Sequence, residues 1–338
     1  MLETARRFDS VINAALFGAL AETGVLPFSR EAFEETIRLG KVAVDSNLAT
    51  FSASYELAQG QAAGAVEVFA ADARTAETAF QVPEGTTAGG KELMARVSCL
   101  PAACREMVVL GVEKLAHYQD HAYAHEYLDH LQAVSALEPE DGSELTREVA
   151  RYLALWMAFE DLPRVAQIKT GAARFERFRE EVRAGEGQQV GMVEFLHPRV
   201  EEFCGVMPAW LGRTLQNSAL GTRFLGLFAK PRNVRTCCVF GYITFYLMSG
   251  MRRFRRSSLI YQIENGHIEN WLAAVQDAAV SDYALAVELA HCGRLIKGYG
   301  ATRERGNGNM ERILAVFRQA QDVTAQTIAG LRQAALAD

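Results

Sequence analysis

The chain has 338 residues, of which 49% are hydrophobic, and a formal charge of −6 from 41 acidic and 35 basic residues. That length accommodates about two domains with real cores, and the mild acidity excludes a general nucleic-acid binder, which would be basic overall. Six sparse cysteines (Cys99, Cys104, Cys204, Cys237, Cys238 and Cys292) make poor material for a disulfide framework, and the N-terminus lacks a charged-then-apolar signal pattern, so the reading is a reducing cytoplasm.

In chain order the apolar periodicity is overwhelmingly helical. It predicts helices over 3–23, 29–39, 41–58, 89–98, 103–131, 143–158, 162–184, 207–228, 237–256, 259–297 and 307–335. Val66-Glu67-Val68-Phe69 is the best candidate strand. Ser29 reads as an N-cap, with Glu31 in the first turn and Phe28 and Phe33 placed to staple the helix start. Asp141-Gly142-Ser143-Glu144 and Asp161-Leu162-Pro163 give two further starts, proline being tolerated in a first turn. Residues 72–92, with Pro83, Gly85, Gly89 and Gly90, form the expected linker. The predicted fold class is mainly α, with a boundary near residue 85 separating 1–85 from a multi-helix domain at 86–338.

Charge is unevenly spread. Between Glu202 and Glu264 there is no Asp or Glu, while Arg213, Arg223, Lys230, Arg232, Arg235, Arg252, Arg253, Arg255 and Arg256 all fall there. Such asymmetry marks a surface that meets an anion or an acidic partner; the alternative is a solvated face neutralised by acidic residues elsewhere in the fold. Within this stretch Cys237 to Met251 is the most apolar run. It is shorter than the roughly 18 residues of a spanning helix, which predicts a buried core helix and no membrane span, with a membrane-surface element as the lesser alternative. Asp282 falls on the apolar stripe of 259–297. It requires an Arg partner from the basic stretch or a place at the stripe's edge in water.

Three constellations bear on chemistry. Arg294 to Asn309 places Lys297, Gly298, Gly300, Arg303 and Arg305 in a glycine-rich loop ahead of a helix expected to start near Asn309. Glycines admit close approach of backbone N–H groups to an anion, and arginines complete a phosphate or carboxylate site. These residues with Arg235 form the candidate anion site; the alternative is a glycine helix stop followed by a solvated turn. His117, His121 and His125 are spaced i, i+4, i+8, with Glu126, Asp129 and His130 nearby. The outer two are about 12 Å apart on one helix, too far for a shared zinc ion; no metal is expected and a polar face is favoured, with two histidines plus an outside ligand as the alternative. Cys99 and Cys104 do not form a C-x-x-C pair, and buried, inert cysteines are the default.

Several strings resemble the beta subunit of the aryl-type indolepyruvate ferredoxin oxidoreductases. Asn13–Ala21 and Gly24–Phe33 resemble the last helices of the gamma domain of 2-oxoacid oxidoreductases. Tyr118-Gln119-Asp120, Ala122-Tyr123-Ala124, Tyr127-Leu128-Asp129, Phe159–Thr170, Asp282–Ala286 and Arg294–Gly300 resemble the helical region that follows it. The resemblance implies a truncated gamma-domain remnant over 1–85 and the C-terminal helical domain over 86–338. It implies a cytoplasmic subunit or fragment, not catalytic alone, in oxidative decarboxylation of arylpyruvates to arylacetyl-CoA with reduction of ferredoxin. Thiamine diphosphate and iron–sulfur clusters are implied on a large alpha-subunit partner and none on this chain, which has no gamma-domain glycine fingerprint and no Gly-Asp-Gly motif. The Lys297–Arg305 loop would face that partner, CoA or an arylpyruvate carboxylate. The alternative is a non-catalytic anion-binding or scaffold protein built from the same helical domain.

Overall fold

A computed structural model describes residues 2–8, 10–26, 28–40, 43–61, 80–140, 142–185, 187–188, 190–227, 229–320 and 322–337. Its contacts divide the chain into two compact units, Met1–Thr78 and Ala79–Asp338. Among the described residues there are eighteen α-helices and one two-stranded sheet, which is the mainly helical class the periodicity predicts. No helix among them is long and apolar enough to cross a membrane.

The first unit holds α1 (Leu2–Arg7), α2 (Ile12–Glu22), α3 (Arg30–Gly40) and α4 (Val44–Gln61). The α3 start is as read: Ser29 Oγ accepts from Ala32 N at 3.4 Å, and the Phe28 and Phe33 rings meet edge-on at 6.2 Å. Helices α2 and α4 touch at Gly18, where a Cβ would stand 2.2 Å from the Phe51 carbonyl oxygen. Phe33 and Phe51 fill the small core. The candidate strand Val66–Phe69 lies outside the described residues.

The second unit is built around α5 (Ala88–Ser98), α6 (Arg105–Tyr118), α7 (His121–Ser135), α8 (Glu144–Met157), α15 (Leu259–Ser281), α16 (Tyr283–His291), α17 (Ala301–Gln319) and α18 (Ala325–Ala337). Trp156, Trp271, Tyr118 and Tyr127 are its largest fully buried side chains. Each buried tyrosine donates to a backbone carbonyl: Tyr118 to Phe159 at 2.8 Å, Tyr123 to Met157 and Tyr127 to Ala150 at 3.0 Å. Such pairing removes the desolvation cost of the hydroxyl. It also staples α6 and α7 to the C-terminal half of α8 and the loop behind it.

Between α8 and α15 lies a looser layer. It comprises α9 (Leu162–Thr170), α10 (Ala172–Glu181), β1 (Val193–Leu196), α11 (Val200–Val206), α12 (Ala209–Gln216), α13 (Ala219–Gly226), β2 (Arg232–Arg235), α14 (Val239–Gly250) and a 3₁₀ segment, Met251–Ser257. Strands β1 and β2 pair antiparallel, Val193 opposite Arg235 and Leu196 opposite Arg232. Burial on β1 is inverted: Glu194 is buried while Val193 and Phe195 are exposed.

Long predicted helices are broken, beginning with 3–23, which divides into α1 and α2. Asp120 ends the expected 103–131 helix by turning extended and accepting from Tyr123 N at 2.8 Å. Asp282 does the same within 259–297, accepting from Leu285 N at 3.1 Å. It is an exposed N-cap, open to water as the edge of the stripe allows, and pairs with no arginine among the described residues. Extended Gly171 splits 162–184, Ser218 caps α13 inside 207–228, and extended Ala320 divides the last predicted helix. At Asp120, Asp282 and Ser218 the side chain satisfies a helix-start N–H group locally, which the apolar period does not register.

The apolar run also departs from expectation. Helix α14 buries Gly241 and Phe245, the latter 1% exposed, against one side. Val239, Phe240, Ile243, Tyr246 and Leu247, at helical spacings of three and four, lie open on the other, Phe240 being 86% exposed. It is a surface helix rather than the buried core helix predicted.

Candidate functional site

The looser layer leaves a cleft of about 650 Å³, inside the usual range for small-molecule sites. Four pieces of chain make its wall. The first is the entry to α9, where Asp161 caps the helix by accepting from Arg164 N at 2.7 Å, with Lys169 farther along. The second is the end of β1 running through His197 and Arg199 into α11, where Glu202 accepts from the Arg199 backbone N–H at 3.3 Å. The third is the α15 start, capped by Ser258, whose face presents Leu259, Ile260, Ile263 and Glu264. The last is the Gly298-Tyr299-Gly300 turn with Arg303, Glu304 and Asn307 of α17.

This turn corrects the predicted loop. Gly298 and Gly300 have φ of +71° and +57°, values L side chains rarely adopt. They reverse the chain sharply enough for α17 to begin at Ala301 instead of near Asn309. Gly306 is therefore helical. Its lack of a side chain lets α17 approach the Leu295 carbonyl oxygen, which a Cβ would meet at 2.3 Å.

The candidate anion residues disperse. Gly298, Gly300 and Arg303 line the cleft; Lys297, Arg305 and Arg235 do not. Lys297 is exposed, Arg305 sits on the exposed side of α17, and Arg235 ends β2. Arg303 donates to Glu264 at 2.5 Å, and the same Glu264 oxygen accepts from Trp156 Nε1 at 2.8 Å. Lys169 and Arg174 both grip Glu194. Arg199 stands 3.6 Å from Glu304. The three cations on the wall are thus each matched to a carboxylate. Six carboxylates line the same wall: Glu160, Asp161, Glu201, Glu202, Glu264 and Glu304.

Burial works against the Glu194 carboxylate, but hydrogen bonds and charge from Lys169 and Arg174 outweigh it and hold its pKa below the ordinary 4.5. A carboxylate depressed on folding stabilises above its unfolded pKa, and that contribution is lost as pH falls through the folded one. Glu194→Gln should therefore be less stable than the natural protein at neutral pH, with the gap closing only below about pH 4.5. Urea titrations at several pH values check this; a gap that does not change with pH would remove Glu194 from the acid response.

The histidine ladder dissolves with the helix break, His117 ending α6 while His121 and His125 lie on α7. Ring nitrogens of His117 and His125 stand 3.3 and 3.0 Å from the guanidinium groups of Arg164 and Arg96. Burial lowers the His130 pKa. Among the described residues, no three His, Cys, Asp or Glu side chains cluster to hold a metal ion. All six cysteines are free. Cys104, Cys204 and Cys292 are buried, and burial raises their pKa values, that of Cys104 to about 11 and that of Cys292 to about 12. Cys99, Cys237 and Cys238 are exposed, contrary to the default.

Two further basic residues are accounted for. Arg255 is buried in a two-pronged bond to Asp161, 2.6 and 3.0 Å, and its guanidinium carbon lies 3.9 Å from the Tyr118 ring centroid. Arg256 pairs with Glu126 at 2.8 Å. Arg235, Arg252 and Arg253 are exposed around the ends of α14 and make no ion pair among the described residues.

A model described as a family of unknown function (DUF6537) matches residues 104–316. Neither a curated protein nor a solved structure matches the chain significantly.

Proposed function

The chain belongs to the DUF6537 family of unknown function, and on that premise we propose that it is a subunit, or part of one, of a thiamine-dependent arylpyruvate:ferredoxin oxidoreductase. Its part is to dock the large, cofactor-bearing subunit. The sequence resemblance supplies the kind of complex. The observation that carries the need for a partner is the outer face of α14, an aromatic and aliphatic stripe left in water. A contiguous exposed apolar patch of this kind marks an interaction surface, and aromatic enrichment with depletion of acidic residues is the composition of an interface centre.

Charge selects among partners. Arg235 precedes the helix and Arg252 and Arg253 follow it, with no carboxylate in the stretch. Two copies meeting face to face would set these cations against one another, because an isologous contact repeats the same patch on both sides. An apolar surface rimmed with carboxylates satisfies both features.

Co-expression with the large subunit followed by affinity capture tests this. The natural chain should retain a partner carrying thiamine diphosphate and iron–sulfur clusters, and the mixture should oxidise arylpyruvates. Phe240→Asp with Leu247→Asp should weaken the complex at least about thirtyfold, the loss of one strong interface anchor, without changing the thermal transition of the free chain. Failure of a well-folded mixture to associate, or equal capture of the double variant, would overturn the reading.

A further inference from the structure

We propose that the cleft between α9, α11, α15 and α17 binds an organic cation, an ammonium group carried on an apolar body. This rests on a surface separate from α14 and does not depend on the docking role.

The cavity is concave, and much of its wall is hydrocarbon, with Leu162, Val165, Leu196, Val206 and Ile263 among the contributors. A ligand therefore brings an apolar body. Its charge follows from the pairing already described. Arg303 is held by Glu264, Arg199 stands by Glu304, and Lys169 shares Glu194 with Arg174, so each wall cation already has a carboxylate partner. Glu160 and Glu201 are different. Both line the cleft, both are exposed, and neither makes an ion pair among the described residues. The α17 N-terminus would favour an anion, but Glu304 already occupies its first turn.

Two aromatic rings add a second attraction. Phe195 and Tyr299 line the cleft and are 68% and 73% exposed. Exposed rings on a wall that also carries carboxylates outside any ion pair attract an ammonium ion through the ring quadrupole as well as by charge. Asn307, on the same wall, has a buried Oδ1 without a donor among the described residues. Arg303 Nε, one helical turn before it, is a buried donor without an acceptor among the described residues.

The test is binding of three isosteric probes to the full chain, followed by ligand-observed NMR and calorimetry. They are 2-phenylethylamine as the cation, 2-phenylethanol as the neutral form and phenylacetate as the anion. The amine should bind at least about tenfold tighter than the alcohol, with an affinity that falls as salt rises. Glu160→Gln with Glu201→Gln should remove that preference while leaving the circular dichroism and thermal transition unchanged, since both side chains are exposed. Tyr299→Leu should weaken the amine more than the alcohol. Tighter binding of phenylacetate would overturn the proposal in favour of an anion site. Equal binding of all three probes would make the cleft merely apolar, and no binding of any at millimolar concentration would equally overturn it.

Discussion

Arg255→Met should destabilise the second unit by about 3–5 kcal/mol, the usual cost of removing one partner from a buried ion pair. Arg255 and Asp161 side chains are 1% and 2% exposed. Burial alone would lower the guanidinium's pKa, but the Asp161 hydrogen bonds and the neighbouring charges raise it instead. Without the arginine, Asp161 is a nearly buried carboxylate at the cleft wall, left among the described residues with the Arg164 backbone N–H as its donor. Arg255 also donates to the Tyr118 carbonyl at 3.0 Å and to Gln119 at 2.6 Å, closing the C-terminus of α6. Lysine cannot reproduce this fork, so Arg255→Lys should recover only part of the loss. Adding Asp161→Asn to Arg255→Met should recover more, because asparagine keeps the α9 cap while discarding the stranded charge. Urea unfolding of the four proteins decides the point. A loss below about 1 kcal/mol, or a double variant no better than the single one, would show that the pair is dispensable.

The second large effect should come from the centre of the core. Trp271 is fully buried, its ring 5.6 Å from that of Trp156, and its Nε1 donates to the Leu289 carbonyl at 2.8 Å. It ties α15 to α16, and Gly293 permits the approach, since a Cβ there would lie 3.2 Å from the indole and 2.5 Å from Tyr152. Trp271→Ala should cost about 3–5 kcal/mol through the cavity it leaves, a fall in thermal midpoint of roughly 10 °C for a unit of this size. Trp271→Phe keeps most of the packing and loses the hydrogen bond, so it should cost about 1–3 kcal/mol through the unpaired carbonyl. Equal midpoints for the two variants would show that the indole N–H outweighs its volume.

Some of this was legible in the sequence because it is local chemistry. Ser29 with the Phe28–Phe33 staple, and Asp161 ahead of Pro163, stand where their side chains dictate. The same reasoning applied to Asp120 and Asp282 would have found two helix breaks. Their carboxylates were hidden inside uninterrupted apolar periods, and periodicity does not distinguish one long helix from two in tandem. The cleft was less legible. Gly298, Gly300 and Arg303 were singled out for backbone freedom and charge, but their partners come from elsewhere in the fold. Glu264 entered the reading only as the boundary of an acid-free stretch, although it receives both Arg303 and Trp156. Glu160 and Glu201 had no local signal, because an exposed glutamate near a helix start is ordinary until the fold shows what faces it. The α14 face was misread for a related reason: apolar content predicts burial, and a chain considered alone does not say whether its own core or another surface supplies it.

The Arg255 fork bears on the lifetime of the native state. It joins residues 94 and 137 positions apart, so each contact closes a long loop whose entropy must be met before the bond forms. Contacts of that separation are expected to complete after the main barrier, once the surrounding helices have collapsed. Interactions absent from the transition state act on the rate of escape rather than the rate of arrival. The four arginines that follow α14 therefore divide their labour between surface charge and a single inward-turned latch, whose removal is expected to speed escape from the assembled domain more than it slows assembly.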